Sequence, residues 1–67
     1  MVLTEQQKRI IFHMKRHHMS VAEMTAVLLH LEKDAQQQDM IDYLLAHPAE
    51  TPREVVDKAV ALGKRVY

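Results

Sequence analysis

The chain has no cysteine, no tryptophan, one glycine and two prolines among its 67 residues. Without cysteine there are no disulfides and no thiolate zinc site. The same absence suits a reducing compartment. No apolar run approaches the roughly 20 residues that a membrane-spanning helix needs. The first ten residues are polar and lack a small-residue cleavage site, so no signal peptide is expected. A cytoplasmic protein is the expectation, of a size that suits a bacterial or phage-encoded factor. Net charge is zero with the histidines neutral, so the whole molecule has no electrostatic bias toward nucleic acid or membrane.

At this length one domain is expected, spanning residues 1–67. Such a chain buries only about 60% of the surface it exposes when unfolded. Small scaffolds of this kind are commonly stapled by disulfides, a metal or a partner chain. Charge is unevenly spread. Residues 1–18 set Lys8, Arg9, Lys15 and Arg16 against Glu5 alone. Residues 19–50 set Lys33 against Glu23, Glu32, Asp34, Asp39, Asp42 and Glu50, and residues 51–67 are basic again. An acidic middle between basic ends can attract its own termini, or those of a second copy.

With so few breakers and no alternation of Val and Ile, the periodic signal is helical. An all-α domain of four helices is expected, over about 4–17, 20–33, 34–47 and 51–63. The first begins at Thr4, with Gln7 as capping-box partner and Ile10, Ile11 and Met14 on its apolar face. The second begins at Ser20 with Glu23 as partner, and Val21, Met24, Val27, Leu28 and Leu31 form its buried stripe. Met19 is placed to staple onto Met24. The third is expected to be capped by Asp34 with Gln37 as partner, carrying Met40, Ile41, Leu44 and Leu45. Neither glycine nor proline separates it from the second, but the polar stretch Glu32 to Asp39 argues for a break. The fourth has Thr51 as cap, Pro52 in the first turn and Glu54 as partner. Val55, Val56, Ala59, Val60 and Leu62 form its apolar face, and Gly63 is the expected stop.

An internal echo links the two halves. Ile11, Met14 and His17, then Ser20, Glu23, Met24 and Leu31, correspond to Ile41, Leu44 and His47, then Thr51, Glu54, Val55 and Leu62. The offset is 30 residues before the turn and 31 after it. Each unit reads as helix, short turn, capped helix, so the domain is expected to be two stacked helical hairpins.

Few residues suggest chemistry. No residue is assigned a catalytic role: there is no Gly-rich phosphate loop, Ser20 is explained as a cap, and the carboxylates occupy caps and polar faces. No cofactor, small-molecule substrate or membrane is expected. No residue is assigned to a metal, although His13 and His17 stand at i and i+4, a spacing that can chelate zinc, copper or nickel given further ligands. Otherwise both read as solvated members of a basic helix surface. Lys8, Phe12, Lys15 and Arg16 share one face of the first helix. With Arg9 they compose a surface able to contact phosphates or an acidic protein.

A helix-turn-helix reading follows from that surface. Met40 to Leu62 resembles the opening helix pair of a winged-helix domain, but no helix rich in Arg, Lys, Asn or Gln follows Gly63. If the third helix entered a groove, Gln36, Gln37 and Gln38 would face bases while Asp34, Asp39 and Asp42 met phosphates, an unfavourable pairing. The leading expectation is instead a non-enzymatic protein–protein interaction module, a regulator or adaptor acting as a homodimer. Phe12, Leu29, Val56 and Val60 are left over after each helix has one buried stripe, and are the candidate partner-binding residues. The alternative is a nucleic-acid-binding regulator using Lys8, Arg9, Lys15 and Arg16.

Overall fold

A computed structural model describes residues 2–67. It contains four helices among them: α1 (Glu5–Lys15), α2 (Val21–His30), α3 (Asp34–Ala46) and α4 (Pro52–Gly63). Three begin where their capping boxes predict. The Thr4 hydroxyl accepts from the Gln7 N–H at 3.1 Å, while Gln7 Oε1 accepts from the Thr4 N–H at 2.9 Å. The Ser20–Glu23 pair repeats this at 3.1 and 2.8 Å, and Thr51–Glu54 at 3.3 and 3.1 Å. Each box satisfies two of the N–H groups that a helix start leaves without partners.

Helix α3 begins at Asp34, close to expectation, but its cap differs. Its N-cap is Lys33, not Asp34, and Gln36, not Gln37, reaches back to accept from the Lys33 N–H at 2.9 Å. Gln36 and Gln37 are both buried. Gln36 Nε2 donates to the Leu62 carbonyl at 3.2 Å, and Gln37 Nε2 donates to the Leu31 carbonyl at 2.9 Å. Those carbonyls lie at the C-terminal ends of α4 and α2, where the i→i+4 ladder has run out, and that of Leu62 also accepts from the Arg65 N–H at 3.2 Å. Two glutamines in the first turn of α3 therefore close the ends of two other helices. The expected break between α2 and α3 is present, and Gln37 helps hold it by engaging Leu31 in the connection.

The helices pair in the same direction. Gln6 of α1 donates to the Asp34 carbonyl at the start of α3, while His13, Arg16 and His17 meet Leu44, Leu45 and Pro48 at the other ends. The C-terminal ends of α2 and α4 meet likewise, with Gly63 against the His30 carbonyl. So α1 runs parallel to α3 and α2 parallel to α4, as expected if one hairpin is stacked on the other in register. The core between them is Ile10, Met14, Met19, Val27, Leu31, Met40, Ile41, Leu44, Val55, Ala59 and Leu62.

Gly63 does not stop α4 by adopting a left-handed conformation. It is the last helical residue, with Lys64 as C-cap in the ordinary helical region. Its value is the missing side chain, since a Cβ there would lie 2.8 Å from the His30 carbonyl oxygen. The left-handed residue is His18, at φ 60°, in the turn between α1 and α2. At the C-terminus, Tyr67 donates to Asp39 at 2.6 Å and Arg65 lies 3.6 Å from the same carboxylate. The basic end thus meets the acidic middle of its own chain. Among the described residues, no helix is long and apolar enough to cross a membrane.

Candidate functional site

The largest apolar feature lies between α1 and α2. These helices diverge from their shared turn and leave a groove of about 430 Å³, lined by Leu3, Gln7, Ile11, Val21, Met24, Thr25, Leu28 and Leu29. The lining contains no charged residue. Leu3, Gln7 and Ile11 come from α1 and its lead-in at intervals of four. Val21, Met24, Thr25, Leu28 and Leu29 come from α2 at i, i+3, i+4, i+7 and i+8. Both sets are continuous lines along a helix.

Two expectations about α2 are corrected here. Val21, assigned to the buried stripe, is 76% exposed, and Leu28 is only half-buried. Val27 and Leu31 do the core work instead. The reason is that α2 carries two apolar stripes and one domain interior can take only one. Ile11 on α1 and Leu45 on α3 were likewise expected on buried faces; Ile11 is half-buried at the groove and Leu45 is exposed.

The four candidate partner-binding residues separate. Leu29 is 72% exposed on the lip of the groove. Val60 is half-buried and lies with Leu29 along a second depression at the ends of α2 and α4. Val56 is half-buried against the core. Phe12 is 60% exposed but points to the outward face of α1, away from the groove, with its ring edge-on to His13 at 5.4 Å. The residues that sequence reasoning missed are Leu3, Ile11, Val21, Met24 and Leu28. Their signal was present as a second line of helical spacing, but it merged with the stripe expected to be buried.

The basic residues Lys8, Arg9, Lys15 and Arg16 are all exposed on α1. Lys8 lies 3.5 Å from Glu5, one turn back. Gln36 and Gln37 are buried and engaged, so the first turn of α3 offers no amides of theirs to a nucleic acid. Gln38 is exposed and donates to Asp42 at 3.0 Å.

The histidines divide in a way that spacing alone does not predict. His17, expected on a solvated surface, is 7% exposed. Its Nδ1 lies 2.9 Å from the Glu50 carbonyl oxygen and ties the α1–α2 turn to the α3–α4 turn. A carbonyl only accepts, so Nδ1 carries the proton in this bond. His13, Arg16 and His17 line a cavity of about 230 Å³, whose far wall is Leu44, Leu45 and Pro48. Partial burial holds the His13 pKa below its ordinary value, and the neighbouring charges of Arg16, Arg9 and His17 act in the same direction. Among the described residues, no group of three or more His, Cys, Asp or Glu side chains is placed to hold a metal together.

A further polar cluster secures the start of α4. The Tyr43 ring lies 4.6 Å from that of His47, and Lys58 Nζ sits 5.2 Å above it. His47 is 3.6 Å from the Glu50 carboxylate. Burial pushes the Tyr43 phenol up to about 12, with a hydrogen bond to Glu50 and the charges of Glu50 and Glu54 adding to the effect. Glu54 is held below the ordinary carboxylate range by its hydrogen bond with Glu50 and by the Thr51 backbone and hydroxyl. These groups are occupied in joining α3 to α4.

No protein-family model matches the chain, and no curated protein or solved structure is significantly similar to it.

Proposed function

We propose that this protein is a non-enzymatic helical interaction module that works as a homodimer, with the groove between α1 and α2 as its contact surface. The observation that carries the reading is that groove: apolar and free of charge, with Val21 and Leu29 largely exposed along it. Exposed apolar surface gathered in one place is characteristic of interaction sites. A second copy is the occupant because an uncharged face can meet itself about a two-fold axis without like-charge repulsion. Two such hairpins face to face would bring four helices around one shared seam. A domain this small also gains proportionally more from a partner's buried surface than a large one does. A role as regulator or adaptor follows from binding without chemistry, and the cysteine-free composition suits the cytoplasm.

Sedimentation tests this directly. The expected result is a dimer that Leu29→Glu and Val21→Glu each convert to a folded monomer. A wild-type chain that stays monomeric at high concentration would overturn the reading.

A second reading is supported by Phe12 standing exposed among Lys8, Lys15 and Arg16 on the outward face of α1. That surface suits phosphate contacts with a nucleic acid. It calls for salt-sensitive binding to duplex DNA, weakened by Lys15→Glu and Arg16→Glu. Absence of binding at low salt would dispose of it.

A further inference from the structure

We infer that His13 and His17 form an open two-histidine site for a late first-row divalent cation, Cu(II) foremost. The site lies on the side of α1 facing α3, away from the groove, and does not depend on the dimer reading.

Four features converge on it. Both histidines line one cavity of about 230 Å³. They are four residues apart, and past Lys15 the chain continues in a tighter turn, in which the His17 N–H donates to the Met14 carbonyl at 2.9 Å. The shared cavity places both rings on one side of the chain. Secondly, the bond from His17 Nδ1–H to the Glu50 carbonyl fixes the tautomer. In the neutral ring the remaining nitrogen, Nε2, then holds a free lone pair. A backbone carbonyl orienting the non-ligating nitrogen is the usual outer-shell arrangement around metal-bound histidine.

Thirdly, Nε2 is accessible. Among the described residues no side-chain nitrogen or oxygen is both sealed from solvent and without a hydrogen-bond partner. Nε2 has no such partner, so it is not sealed from solvent, and His17 lines the cavity. Fourthly, α1 and α3 run parallel and both end here. Their C-termini bring two negative dipole ends toward the cavity, which act against the positive charges of Arg16 and Arg9 beside His13.

Arg16 also lines the cavity and invites the opposite choice, an anion. In the neutral ring the tautomer favours the cation. With Nδ1–H committed to Glu50, a neutral His17 turns a lone pair outward, and a lone pair repels an anion but binds a metal. Arg16 is exposed on a long flexible stem and can turn toward water. Leu44, Leu45 and Pro48 contribute no side-chain ligand, so water fills the remaining positions. Two imidazoles with water suit Cu(II), which heads the affinity order for nitrogen ligands.

The test is titration of the full chain with Cu(II) at neutral pH, followed by NMR of the histidine ring protons and by EPR. One equivalent is expected to broaden the His13 and His17 signals before those of His18, His30 and His47, with nitrogen coupling from two imidazoles. His13→Ala leaves the Glu50 bond intact and should weaken binding at least as much as loss of an outer-shell partner, about tenfold or more. Arg16→Ala should tighten binding, and His18→Ala should leave it unchanged. Unaltered binding by a folded His13→Ala chain would overturn the site. So would broadening centred on the other histidines or on the amino terminus.

Discussion

The two hairpins follow one plan and end in different states. In the α3–α4 hairpin Met40, Ile41, Leu44, Val55, Ala59 and Leu62 are all buried, and Leu45 is the one large apolar helix residue left largely exposed. The turn is reinforced by Tyr43, His47, Glu50 and Glu54. In the α1–α2 hairpin Ile10, Met14, Val27 and the flanking Met19 and Leu31 fill the core, Ile11, Met24 and Leu28 pack against it only in part, and Val21 and Leu29 stand exposed along the groove. Both hairpins are capped by the same chemistry, so capping does not account for the difference. The number of apolar stripes on α2 does. A helix with one stripe closes against its neighbours, whereas a helix with two covers the core with one and presents the other.

The contrast is broken most severely in the core. Leu62→Ala, at a fully buried position on α4, should cost about 2–5 kcal/mol. Val21→Ala on the exposed stripe of α2 should change the stability of a monomeric background by no more than about 0.5 kcal/mol. Urea denaturation of both variants in the Leu29→Glu background measures this. Equal losses would mean that Val21 is part of the core after all.

Next comes the contact between the two halves. Gly63→Ala places a methyl group 2.8 Å from the His30 carbonyl oxygen, so α4 must shift against α2. A loss of about 1–3 kcal/mol is expected, as for overpacking elsewhere. Gly63→Ala melting like the wild type would show that the ends of α2 and α4 move apart freely.

The caps provide a more even comparison. Ser20→Ala and Thr51→Ala should each cost about 1 kcal/mol, because each removes the same hydroxyl acceptor from a helix start. A much smaller cost for Ser20→Ala would reveal that α2 is held by its partner copy rather than by its own first turn.

The last effect is confined to the α3–α4 hairpin and to alkaline pH. Below pH 10 the Tyr43 phenol is protonated in both the folded and unfolded chains. Between pH 10 and about 12 the unfolded chain releases that proton while the folded one keeps it, so stability falls as pH rises through this window. Tyr43→Phe should flatten that part of the profile, and melting temperature against pH would record it. An unchanged slope would remove Tyr43 from the turn's electrostatics.

Much of the fold was legible before any coordinates. Thr4, Ser20 and Thr51 mark three helix starts because a cap and its box partner are separated by a fixed three residues and need nothing distant. The break after α2 was legible from polarity alone. The cap of α3 was misjudged by one residue because Asp34 is the better capping side chain by local chemistry. Tertiary demands prevailed, with Gln37 needed at the Leu31 carbonyl and Gln36 at that of Leu62. The candidate site was half legible. Leu29 stood apart in the sequence, but Val21 and Leu28 did not, since helical spacing says which residues share a face and not which face the core selects.

What the sequence determined by itself is therefore local: helix content, three of the four caps, the hairpin plan and the excess of apolar residues. The tertiary structure alone decided which stripe of α2 is buried, that His17 is enclosed with its Nδ1 on the Glu50 carbonyl, and that Gly63 is needed for close approach. The physical reason is range. Capping and periodicity act within one or two helical turns, whereas burial is settled by how four helices share a single interior.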